Sequence, residues 1–84
     1  MNLDELKNLK VDKVVDARGT ACPGPLLDAK RAIGSVPMAG IMVVISSDIG
    51  TTLDIPLWAS KVGHEYLGML TEPGIWRMYV KRGK

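Results

Sequence analysis

Residues 41–46 read IMVVIS, an uncharged run with a glycine in front of it and SDIG behind. A strand with one face in water alternates apolar and polar side chains, whereas an unbroken apolar run of strand length must be covered on both faces. The run therefore predicts a buried central strand. Eighty-four residues allow one domain with a modest core, so the cover must come from the flanking segments.

Those segments carry helical spacing. From Pro25 to Val36 the apolar residues Leu26, Ala29, Ile33 and Val36 recur at intervals of three and four, while Asp28, Lys30 and Arg31 fall on the opposite side; Gly34, Pro37 and Gly40 mark the end. In TTLDIPLWASKVG, Ile55, Trp58, Ala59 and Val62 form a second stripe. Thr51 and Asp54 fit a capping box, Pro56 is expected in the first turn, and Gly63 suits a left-handed cap. KVVDA at 13–17 reads as a first strand. EYLGML and IWRMYVKR flank TEPG, whose Pro73-Gly74 pair suits a type II turn and makes the last two strands a hairpin. The order β-α-β-α-β-β, with right-handed crossovers, predicts an α/β (α+β) two-layer sandwich: a four-stranded mixed sheet with two helices on one face. Residues 1–12 are expected to be a flexible N-terminal extension and 13–84 the single domain. Trp58 and Trp76 read as core, and Met38, Met42, Met69 and Met78 as gap-fillers.

Composition excludes several functions. The longest apolar stretch, AGIMVVI, is far short of a bilayer span, and MNLDELKNLK has neither an apolar signal region nor a cleavage site, so a cytoplasmic protein with no membrane role is expected. One cysteine can close no internal disulfide and build no zinc cage. A net charge of +2 does not by itself imply nucleic acid, and no aromatic-rich RNA-binding strand is present. The basic cluster Lys81, Arg82 and Lys84 reads as a solvated tail.

That cysteine, Cys22, lies in GTACPGPLLDAK, between the first strand and the first helix. A position at or next to the N-cap puts Pro23 at the first helical residue and Pro25 two further on, where proline costs little because first-turn amides lack intrahelical acceptors. The Gly24 and Leu26 amides and the helix dipole favour an anionic sulfur. A free thiol titrates near about 8.5 and is lowered at helix N-termini, so an exposed, partly ionised thiol is expected, its depression limited by the two amides that proline removes. Gly24 adds no side chain beside it.

The segments DARGTACPGP, SSDIGTTLDIPLW and GHEYL, spanning Asp16 to Leu67, resemble the TusA/SirA family of small sulfur carriers, whose motif is Asp-x-x-Gly-x-x-Cys-Pro-x-Pro. The resemblance implies that Cys22 carries sulfane sulfur as a persulfide, that Pro23, Gly24 and Pro25 shape its loop, and that Asp16 and Asp48 are polar residues of the carrier surface. Asp48 reads equally as a cap of the second helix. The implied function is a sulfur relay for tRNA thiolation or dissimilatory sulfur oxidation, with at most sulfurtransferase half-reactions. A selenium-linked or regulatory member of the same family is the nearest alternative, and a small RNA-binding module a more distant one. No cofactor and no metal is implied. The partners would be a donor protein (a cysteine desulfurase or a rhodanese) and an acceptor (DsrE/TusD-like or heterodisulfide-reductase-like), met by a monomer, with Arg18, Lys30 and Arg31 available to steer acidic surfaces. His64 opens the third strand and reads as structural rather than as a base for Cys22.

Overall fold

In the computed structural model, which describes residues 2–21 and 23–84, the strands Lys13–Asp16 (β1), Ile41–Ser46 (β2), Glu65–Glu72 (β3) and Ile75–Lys81 (β4) form one sheet in the order β1-β2-β4-β3. β1 runs parallel to β2, and β4 is antiparallel to both its neighbours. Between β1 and β2 come the helix Gly24–Ala32 (α2) and a 3₁₀ turn Ile33–Ser35, and between β2 and β3 the helix Thr51–Val62 (α3). The mixed sheet and two-layer sandwich are as expected.

Every residue of β2 after Ile41 is buried. Met42 and Val44 face α2 and α3 and join Val15, Ala29, Val36, Ile55, Trp58, Ala59, Met78 and Val80 in the larger core. Val43 and Ile45 point the other way, into a second cluster with Leu6, Leu67, Leu70 and Tyr79. Leu6 belongs to a short helix, Leu3–Lys7 (α1), inside the segment expected to be a flexible extension. The Asn2 side chain caps it, accepting from the Glu5 N–H at 2.8 Å. Five residues do not hold a helix in water by themselves; burial of Leu6, 2 % exposed, fastens this one to the sheet. It rests over a bulge where β3 slips register between Tyr66 and Gly68. Gly68 has φ +147°, a backbone conformation in which a side chain would be strained, and a Cβ there would press on Leu6 Cδ1 at 3.0 Å.

Other expectations shift by a turn or less. Gly50, not Thr51, is the N-cap of α3, which places Pro56 inside the helix rather than in its first turn. Gly63 ends it with φ +87° as expected. Val62 is 41 % exposed and lies off the buried stripe, and Met38, 63 % exposed, fills no gap. Arg82 is no solvated tail residue: its Nη1 donates to the Val36 carbonyl at 2.6 Å and its Nε to that of Lys84 at 2.7 Å, fastening the end of β4 to the turn after α2. No helix among the described residues is long and apolar enough to cross a membrane.

Candidate functional site

Strand register decides which connections meet. Asp16 lies beside Ile45, Ile45 beside Arg77, and Trp76 beside Thr71, so the β1–α2 connection, the β2–α3 connection and the Pro73-Gly74 turn share one end of the sheet. Glu65, Lys81 and Ile41 are aligned at the other end, next to His64. His64 is thus a strand length from the β1–α2 connection. Its Nδ1 accepts the Gly83 N–H at 3.0 Å, its ring lies 5.4 Å from that of Trp58, and burial, followed by the charges of Arg82 and Lys84, holds its pKa below the ordinary value of 6.5. This is a structural histidine.

The β1–α2 connection is tied down from several directions. The Ala17 N–H extends the strand pairing by donating to the Ile45 carbonyl at 2.8 Å, and the Gly19 N–H donates to Ser47 Oγ of the neighbouring connection at 2.9 Å. Asp16 and Arg18 form a two-pronged pair, Nε to Oδ1 at 2.9 Å and Nη2 to Oδ2 at 2.7 Å. That bond, with the Arg18 backbone N–H, lowers the Asp16 carboxyl from 3.8 to about 2. Cys22 lies outside the described residues, and with it the expectation of an exposed thiol at the helix start; its neighbours Ala21 and Pro23 are both exposed. The N-cap of α2 is Pro23, one residue later than expected, with Gly24 first in the helix and Pro25 second and buried. The Gly24 N–H is directed to the Ala21 carbonyl at 3.0 Å, so it does not stand open to an anion as expected. A Cβ on Gly24 would collide with Thr20 Cγ2, so the close approach of residue 20 to the helix start depends on glycine there.

Beside this turn, the second connection is braced from beneath. Ser46 and Thr51, both fully buried, share a hydrogen bond at 3.1 Å between their hydroxyl oxygens; the Asp48 N–H donates to Ser46 Oγ at 3.0 Å, and Thr51 Oγ1 lies 3.4 Å from Asp48 Oδ2. Asp48 thus braces the connection before α3 without capping the helix, whose N-cap is Gly50 with no side-chain cap hydrogen bond. Ser46 and Ser47 were not singled out from the sequence, and Thr51 was read there only as a helix cap. The signal was the change from an apolar strand to three polar residues, SSD, with a threonine three residues further on.

The domain formed by this sheet and these connections matches the family model described as Sulfurtransferase TusA over residues 13–82. The chain belongs to the TusA family. It is 42 % identical over 71 residues to a candidate sulfur carrier protein of Archaeoglobus fulgidus, a match covering 84 % of this chain and 97 % of that one. It is 30 % identical over 79 residues to the sulfur carrier protein TusA of Pseudomonas savastanoi, covering 94 % of each. A SirA-like protein of Desulfitobacterium hafniense has the same fold, with a TM-score of 0.74 at 23 % identity over 86 % of this chain and 99 % of that one.

Within this TusA-family chain, Asp16, Arg18, Pro23, Gly24, Pro25 and Asp48 gather at one end of the sheet, whereas Lys30 and Arg31 sit in the last turn of α2. At 1.5 Å per residue, Lys30 is roughly 9 Å along the helix from Gly24. Arg31, its side chain 80 % exposed, lies 3.9 Å from Asp28. Of the three steering candidates only Lys30 has no salt bridge among the described residues.

Proposed function

We propose that Cys22 accepts sulfane sulfur as a persulfide and passes it to a cysteine of an acceptor protein. A Cys22 thiolate attacks the outer sulfur of a donor persulfide; the new S–S bond forms as the donor's breaks, and the donor leaves as thiolate. An acceptor thiolate then attacks the outer sulfur on Cys22 and restores the Cys22 thiolate. The observation that carries this reading is the setting of the single cysteine: it lies in the Cys-Pro-x-Pro turn of a TusA-family domain, between two exposed residues, in a connection pinned to its neighbour by the Gly19–Ser47 hydrogen bond. With no second thiol in the chain to expel the sulfur as sulfide, retention and hand-over are favoured. Donors of the cysteine desulfurase or rhodanese type and acceptors of the DsrE/TusD or heterodisulfide-reductase type present the thiol chemistry this exchange needs. Because the domain can enclose little, donor and acceptor use the same surface in turn.

Incubation with a rhodanese and thiosulfate is expected to add the mass of one sulfur atom to the intact protein, and reductant to remove it. Cys22→Ser is expected to abolish the gain. Sulfur addition that persists in the serine variant would remove Cys22 as the carrier.

A further inference from the structure

The C-terminal segment is held at the end of the sheet opposite the β1–α2 connection. Arg82 is fastened there by groups that do not titrate between about pH 5 and 8: its carbonyl accepts the Ala39 N–H at 3.1 Å, its N–H donates to the Gly40 carbonyl at 2.9 Å, and its Nη1 donates to the Val36 carbonyl at 2.6 Å. Past Arg82 the attachment changes in kind. The bond from Arg82 Nε to the Lys84 carbonyl stays within the segment. Among the described residues, the hydrogen bond that ties Gly83 and Lys84 to the rest of the molecule therefore runs from the Gly83 N–H to His64 Nδ1, at 3.0 Å.

That bond requires one state of the ring. An imidazole nitrogen accepts only while it carries no proton, so His64 is neutral with its hydrogen on Nε2, and a second proton would turn Nδ1 into a donor facing another donor. The two groups have little freedom to shift in place. The His64 N–H donates to the Ala59 carbonyl at 2.8 Å, which fixes its backbone at the end of α3, and Gly83 lies so close to Gly63 that a Cβ on residue 83 would collide with the Gly63 carbonyl oxygen. The surroundings add to the repulsion. A groove of about 440 Å³ beside the ring is lined by Lys81 from β4, Arg82 from the segment itself, Glu65 from β3 and Ser60 from α3, and the Trp58 ring of α3 lies 5.4 Å from the imidazole. The Lys84 side chain crosses the helix cap at Gly63, so three cations and one carboxylate surround the ring. Burial, followed by the charges of Arg82 and Lys84, accordingly holds the His64 pKa below 6.5.

We propose that His64 is a proton-operated latch: protonation at Nδ1 breaks its bond to Gly83 and frees Gly83 and Lys84 from the end of α3, with Arg82 as the hinge. The stability that the latch contributes is complete above the ordinary histidine value of 6.5 and is lost as pH falls through the lower folded value. His64 is a strand length from the β1–α2 connection, so sulfur loading at Cys22 is expected in both states of the latch.

NMR of the isotope-labelled protein from about pH 8 to about pH 5 tests this. The His64 ring nitrogens are expected to show the Nε2–H form at the upper end and to titrate with a midpoint below 6.5. The backbone order parameter of Gly83 should fall with that midpoint from a rigid value to below about 0.6, while those of Ala39 and Arg82 hold. His64→Leu, which offers no acceptor, should leave Gly83 mobile at every pH. A Gly83 that stays rigid through the His64 titration, a ring with its hydrogen on Nδ1 at the upper end, a loss of order that takes Ala39 and Arg82 with it, or a leucine variant in which Gly83 is still held would overturn the proposal.

Discussion

Arg18 illustrates how a residue's charge can be spent locally. Its guanidinium is locked on both oxygens of Asp16, so it supports the β1–α2 connection more than it projects a field toward a partner. The Asp16 carboxyl is lowered to about 2, with the Arg18 side-chain hydrogen bond the largest cause. A carboxyl lowered in the folded state contributes stability that is present above its unfolded value and is lost as pH falls through the folded one. The pair should therefore be intact at neutral pH and part only in strong acid, between about 3.8 and about 2. Carboxyl carbon NMR is expected to show Asp16 titrating near the bottom of that window, and Arg18→Ala should return it toward the ordinary value. A titration of Asp16 unchanged by Arg18→Ala would show that another group holds it.

Among the elements, α1 is the one whose existence depends most on contacts distant in sequence. Its stretch LDELK has too few residues to nucleate, and it is fastened by Leu6 over the β3 bulge, in a cluster with Val43, Leu67, Leu70 and Tyr79. Leu6→Ala is expected to cost about 2–4 kcal/mol in urea unfolding, in the range for truncating a buried leucine. A flexible extension would lose nothing. Hydrogen exchange of the Leu6 amide, which donates to the Asn2 carbonyl at 3.1 Å, should show protection in the wild type that disappears in the variant.

For the whole molecule the question is how a small domain attracts partners to one end. With Arg18 bound to Asp16 and Arg31 close to Asp28, Lys30 is the one of the three steering candidates in no salt bridge among the described residues, and it lies along α2 rather than at the β1–α2 connection itself. Transfer from a loaded donor is expected to slow with salt over a range set by a screening length of about 10 Å at 0.1 M. Lys30→Glu should slow it more than Arg18→Glu, with thermal stability unchanged in the Lys30 variant. Equal rates for Lys30→Glu and wild type at low salt would exclude Lys30 as the steering charge. Competition between donor and acceptor for one carrier should be complete.

What the sequence determined by itself was whatever depends on spacing along the chain. The three- and four-residue intervals marked α2 and the buried side of α3, the unbroken IMVVIS run marked the strand buried on both faces, and Pro73-Gly74 marked the hairpin turn. The Cys-Pro-x-Pro segment pointed to a family, and the family match over 13–82 bears out that family. The tertiary structure alone decided what depends on partners distant in sequence. It inserted β4 between β2 and β3, brought α1 onto the second face, bonded Gly19 to Ser47 across 28 residues and turned Arg82 back to Val36 across 46. The helix cap is of the same kind: Thr51 reads as a cap in one dimension, yet it is the first residue inside α3, with Gly50 the N-cap, and its hydroxyl accepts from Ser46 at the end of the buried strand. A local pattern states which side of an element is apolar. It does not state which surface will cover it, because that choice is made by burial and hydrogen bonding among segments that meet only when the sheet closes.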